Sequence, residues 1–162
     1  MTRTAELIHS RGETTMFKRI LIPTDGSKVA DKAVKAGIRF AREIGARVTG
    51  YYAVEPIQSS FYGEGTMVDG RVIAELDRQA EAAGEKTLAA MGKLAKAGRL
   101  RFDSLCNKPG TAYDGIIAAA RRKKCDAIFM ASHGRSGLAK LVMGSVTQKV
   151  LAQSKIPVVV YR

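Results

Sequence analysis

Apolar residues in this 162-residue chain fall into short runs separated by stretches of helical period. Ile20-Leu21-Ile22, inside 17–23, is a continuous apolar triplet, the pattern of a strand covered on both faces. Ala30, Ala33, Gly37, Phe40, Ala41 and Ile44 then share one helical face, which predicts a helix over 28–44. Ser27 is a good N-cap for it, and Gly45 stands where a left-handed C-terminal glycine is expected. A second strand over 47–54 carries Val48, Tyr51 and Val54. Serines and glycines make 56–70 loop-like.

A long helix over 72–97 follows, ending at Gly98. Gly84 and Gly92 lower its propensity, by up to about 1 kcal/mol each relative to alanine, so another element should pack closely there or the helix should kink. The third strand spans 100–106, and Pro109-Gly110 breaks the chain. Thr111 and Asp114 form a variant capping box for a helix to about 123, burying Tyr113, Ile116, Ile117 and Ala120. Ala127–Ala131 is the fourth strand, a helix covers 145–154, and Val158–Tyr161 after Pro157 is the fifth strand.

Short apolar strands alternating with helices predict an α/β protein, a doubly wound parallel sheet with helices on both faces. Ligands in such sheets sit beyond the carboxyl ends of the strands, where the winding reverses. If the fourth strand neighbours the first, Pro23-Thr24-Asp25 lines the same crevice as the loop after the fourth strand. That loop holds Gly134, Gly137 and Gly144 between a strand and a helix N-terminus, a plausible phosphate cradle. It matches neither G-x-x-x-x-G-K-[ST] nor G-x-G-x-x-G, so its glycines can equally serve turns with positive φ.

Composition narrows the classes. An apolar fraction of 46% fits one globular domain, and no apolar run reaches membrane-span length. Residues 1–15 lack the apolar core of a signal peptide and read as a flexible tail, so the expected location is cytoplasmic. Met16, directly before the first strand, is an alternative start. Mass spectrometry of the native protein checks it. Cys106 and Cys125 are too few for a disulfide framework and read as small core residues. The net charge of +12 suits an anionic partner, but the basic residues are spread along the sequence. The run Arg121-Arg122-Lys123-Lys124 reads as a solvated helix end offsetting the helix dipole, so nucleic acid is not the expected partner.

Ile20-Leu21-Ile22-Pro23-Thr24-Asp25-Gly26-Ser27 resembles the opening of universal stress proteins. Ser132-His133-Gly134, nine residues, Gly144-Ser145, and then Ile156-Pro157-Val158-Val159-Val160 resemble their closing half. The resemblance covers 16–162. It implies a five-stranded parallel sheet in the order 3-2-1-4-5, of the adenine nucleotide alpha hydrolase-like type, and a homodimer joined through Val158–Tyr161. An apolar strand at a sheet edge invites such pairing. Family members that bind ATP carry G-x2-G-x9-G-[ST]. Here Gly134, Gly144 and Ser145 fit, and Ala131 replaces the first glycine.

The resemblance implies ATP as ligand, with Mg2+ carried by the nucleotide. Pro23, Thr24 and Asp25 would lie near ribose and adenine, and Val48 would offer main-chain contacts to the base. Gly134, Gly144, Ser145, Val146 and Thr147 would hold phosphates, the hydroxyls of Ser145 and Thr147 adding hydrogen bonds. Arg135 and Lys140 would neutralise charge. Plainer roles stand beside these: Asp25 can stabilise the turn by an Asx bond, His133 can orient the loop, Ser145 can be an N-cap, and Met130 and Met143 can fill the core. The expected function is a regulatory nucleotide-binding module of the stress response. A slow ATPase and a ligand-free interaction protein are the alternatives.

Overall fold

A computed structural model describes residues 16–55, 69–134 and 143–162. The elements are β1 (Arg19–Pro23), α1 (Lys28–Glu43), β2 (Arg47–Ala53), α2 (Gly70–Ala97), β3 (Phe102–Asn107), α3 (Ala112–Arg122), β4 (Ala127–Ala131), α4 (Ser145–Gln153) and β5 (Val158–Tyr161). All paired strands run parallel, in the order β3-β2-β1-β4-β5. The expected doubly wound sheet is present, with its reversal between β1 and β4. The tail 1–15, the segment 56–68 and the loop 135–142, with Arg135 and Lys140, lie outside the described residues.

Side chains alternate across the sheet, and the two faces sort accordingly. Ile20, Ile22, Val48 and Phe129 pack with Val34, Ile38 and Ala41 of α1 and Met91 and Ala95 of α2. Leu21, Tyr51, Ile128 and Met130 pack on the other face with Ile116 and Ala120 of α3 and Val150 of α4. Gly84 and Gly92 sit where α2 presses on the sheet, as their positions suggested. A Cβ on Gly84 would stand 2.7 Å from the Tyr52 ring, and one on Gly92 3.0 Å from the Phe102 ring.

Three helices end in the same hydrogen-bonded motif. The N–H of Ala46 bonds the Ala41 carbonyl, Leu100 bonds Ala95 and Cys125 bonds Ala120, each closing a Schellman turn. The residue before each closing donor has positive φ: Gly45 (70°), Arg99 (59°) and Lys124 (53°). This motif consumes residues 99–100, which is why β3 begins at Phe102 rather than at 100. The basic run at 121–124 is a helix end, as expected, with Arg121 and Arg122 in the last turn of α3. Cys125 is buried, Cys106 half-buried, and both are free thiols.

One irregularity positions the site. The Thr24 N–H bonds the Tyr51 carbonyl of β2 at 2.9 Å. Main-chain donors alternate sides along a strand, so the nitrogen of position 23 faces β4. It belongs to proline and has no hydrogen to donate. Pairing of β1 with β2 runs on to Pro23↔Tyr51, but pairing with β4 stops at Leu21↔Ile128.

Candidate functional site

Beyond that last rung, at the carboxyl ends of β1, β2 and β4, opens a crevice of about 480 Å³. This is within the range of small-molecule sites. One end is apolar, lined by Val54, Ala80, Ala112, Ile116 and Met130 beside Tyr51. An ion pair between Lys108, after β3, and Asp77 of α2 ties down the wall that carries Ala80. Tyr51 is fully buried and donates its hydroxyl proton to Asn107 Oδ1 at 2.8 Å. Burial pushes its pKa up to about 12, and the Cys106 thiol nearby adds to this.

The other end is polar. Asp25 Oδ1 accepts the Ser27 N–H at 2.9 Å, the Asx turn anticipated as its plainer role, and Ser27 Oγ accepts the Ala30 N–H at 3.2 Å as N-cap of α1. Gly26, at φ 75°, makes the turn between them possible. Across the crevice, a Cβ on Gly134 would come within 2.8 Å of Asp25 Oδ2. The Gly144 N–H bonds the Ser132 carbonyl at 2.8 Å, which brings the two ends of the glycine loop together. A Cβ on Gly144 would meet the His133 Cα at 3.3 Å. Neither glycine has positive φ, so close approach, not turn geometry, is what they supply.

Helix α4 starts here without a side-chain cap. Gly144, extended at φ −60° and ψ 145°, is its N-cap and offers no side-chain acceptor. Ser145 is therefore the first helical residue, exposed, and not the N-cap that its type suggests. The first N–H groups of a helix have no intrahelical partner, so Ser145, Val146 and Thr147 present unpaired donors at the positive end of the helix dipole. The Thr147 hydroxyl is committed elsewhere: it donates to the Ala131 carbonyl at 3.0 Å in a buried position. It has no proton left for a phosphate, contrary to the expectation, and its contribution is its main-chain N–H. His133 Nδ1 stands 2.7 Å from Ser132 Oγ, which fixes the ring, in keeping with a loop-orienting role. Its Nε2 is enclosed and has no hydrogen-bond partner among the described residues.

The structure thus gathers Pro23, Thr24 and Asp25 from the end of β1, Ala131, His133 and Gly134 from the end of β4, and Gly144 to Thr147 from the start of α4. Val48 is the correction. It lies at the amino end of β2, 1% exposed, with its N–H bonded to the Arg101 carbonyl, on the far side of the sheet from the crevice. Val54, one residue past the end of β2, is the valine that lines the site. Sequence reading also left out Tyr51, although a polar aromatic residue inside a buried strand was a visible signal. Ala131 is in extended strand backbone, paired with Tyr161, so an alanine there carries no left-handed strain. Met130 is core, as its plainer reading had it, and also floors the crevice. Among the described residues no group of three acidic, histidine or cysteine side chains could hold a metal ion. No helix among them is long and apolar enough to cross a membrane.

Residues 16–162 match the model of the universal stress protein family. Universal stress protein MJ0531 of Methanocaldococcus jannaschii is 31% identical over 94% of this chain and 86% of its own length. A universal stress protein of Thermus aquaticus is 33% identical over 91% of this chain and all of its own. Among solved structures, protein MJ0577 superposes with a TM-score of 0.75 at 24% identity, over 90% of this chain and 95% of that one. A universal stress protein in complex with cAMP superposes at 0.66 and 21%, over 91% of this chain and 98% of its own. One from Archaeoglobus fulgidus in complex with dAMP superposes at 0.59 and 18%, over 91% and 99%.

Proposed function

The chain belongs to the universal stress protein family, and from that premise we propose that it binds an adenine nucleotide, ATP with its own Mg2+, in the crevice between β1 and β4. The reading rests above all on the uncapped start of α4. Three main-chain donors open onto the crevice beside Gly134, which itself lies against Asp25. Such a helix start attracts phosphate through aligned N–H groups and the dipole. The apolar slot between Val54, Ala112 and Ile116 has the character that a purine ring needs. The complexes of two structural relatives with cAMP and dAMP support the same ligand class.

Gly134 and the N–H groups of Ser145, Val146 and Thr147 would hold the phosphates, with the Ser145 hydroxyl as a further donor. Thr24 and Asp25 would stand beside the ribose. Mg2+ would arrive on the phosphates, since it is usually bound through substrate oxygens and water rather than a dedicated cage. The protein would act as a regulatory homodimer in the cytoplasm, pairing through Val158–Tyr161. This strand is the half-buried edge of the sheet, paired only with β4 among the described residues.

Two measurements test this. Mass spectrometry of the denatured protein reads any co-purified nucleotide, and calorimetry with Mg-ATP reads affinity. Heat of binding without hydrolysis supports a regulatory module. Hydrolysis abolished by Gly134→Val would make it a slow ATPase. No binding at millimolar ATP rejects the nucleotide reading.

A further inference from the structure

Several basic residues far apart in the sequence converge in the fold at the sheet edge opposite the crevice. In a parallel sheet every strand starts at that edge and every crossover helix ends there. Arg19 is in register with Arg47, and Val48 with Phe102, so Arg101 stands one step back beside Arg47. The bond from the Val48 N–H to the Arg101 carbonyl, 3.0 Å, fixes that step. Three arginines therefore form a row across three neighbouring strands, about 4.8 Å apart. Ile20, Val48 and Phe102, the next residue in each case, pack on the α1–α2 face. By alternation the arginine side chains lie on the other face, toward α3. All three are exposed.

Two acids of this edge are engaged elsewhere, while Glu43, at the end of α1 on the other face of the sheet, makes no ion pair among the described residues. Asp103 accepts Lys123 Nζ at 2.7 Å, and Asp126 accepts the main-chain N–H groups of Lys18 and Arg19, each at 2.9 Å. Among the described residues none of the three arginines makes an ion pair. Like charges directly opposite on adjacent strands destabilise a sheet, so the row has no structural return.

We propose that this row binds the sugar-phosphate backbone of nucleic acid, independently of sequence. The planar guanidinium fork matches phosphate oxygens, and the net charge of +12 supplies long-range attraction. A basic row on one face of a chain with pI ≈ 10.0 is the electrostatic footprint of such proteins. An anionic membrane also attracts cations, but stable attachment adds inserted apolar side chains. The chain around the row carries Lys18, Arg99 and Lys124, and Met16 is the one large apolar side chain exposed beside it among the described residues, short of the apolar face that membrane attachment uses.

Fluorescence anisotropy of the full chain with a short labelled DNA duplex, at several salt concentrations and without added nucleotide, tests the proposal independently of the crevice. The variant Arg19→Gln/Arg47→Gln/Arg101→Gln should lose roughly tenfold or more in affinity and flatten the slope of log K against log salt by about 2 to 3. The charge-matched variant Arg71→Gln/Lys86→Gln/Lys93→Gln, on α2, should leave that slope within about 1 of the parent. Thermal melts confirm that both are folded. Should the triple variant not fold, Arg47→Gln alone should reduce the slope by about 1. Equal losses in both triple variants, or binding to phosphatidylserine vesicles with none to the duplex, overturns the proposal.

Discussion

Asp25 Oδ2 and Gly134 face each other so closely that a Cβ at residue 134 would stand 2.8 Å from the carboxylate oxygen. The Asp25 side chain cannot retreat freely, because its other oxygen holds the Ser27 N–H and with it the turn into α1. Gly134→Ala should therefore displace either the turn or the loop. We expect an overpacking cost of about 1–3 kcal/mol in denaturant unfolding, and a loss of ATP affinity of tenfold or more by calorimetry. Unchanged affinity would remove Gly134 from the site.

Ala131 replaces the first glycine of the family's ATP-binding pattern, and its extended backbone puts no left-handed strain on a methyl. Restoring the glycine with Ala131→Gly should leave ATP affinity within about twofold and destabilise the strand by roughly 0.5–1 kcal/mol. A large gain in affinity would mean that the methyl blocks the ligand.

Lys124 closes the α3 turn at φ 53° with a side chain that disfavours this conformation. Lys124→Gly should raise stability by about 1 kcal/mol, read as a shift of the urea midpoint without change of slope. Arg99→Gly should do the same at the end of α2.

Tyr51 is held neutral by burial, its pKa pushed from 10.0 to about 12. A raised folded-state pKa gives stability that is present below the unfolded value and lost as pH climbs toward the folded one. Stability should fall between about pH 10 and 12, and Tyr51→Phe should reduce this loss. Absorbance of tyrosinate during an alkaline titration should show one fewer late-titrating ring in the variant than in the parent.

The strands, helices and their order were legible because the apolar triplets and the helical stripes have distinct periods. Ala127–Ala131 and Val158–Tyr161 have the predicted bounds, since each is framed by polar residues or proline. Bounds slipped where main-chain hydrogen bonds decided them. Leu100 is apolar enough to open a strand, yet its N–H closes the α2 terminus instead. The crevice was legible in Pro23-Thr24-Asp25 and in the glycine spacing. The valine was not: Val48 and Val54 are equally apolar residues of one strand region, and only the direction of a parallel strand says which end faces a ligand. The Thr147 hydroxyl was also misread, because its acceptor, the Ala131 carbonyl, is sixteen residues away in sequence. The row of Arg19, Arg47 and Arg101 is invisible along the chain for the same reason.

The proline at 23 has a last consequence. Because its ring nitrogen can give nothing to β4, the two central strands part for a covalent reason, whether or not anything sits between them. The mouth is preformed. An incoming molecule need break no ladder bond on entering and leaves no broken rung on departing, so the free and occupied proteins should differ in their loops and not in their sheet.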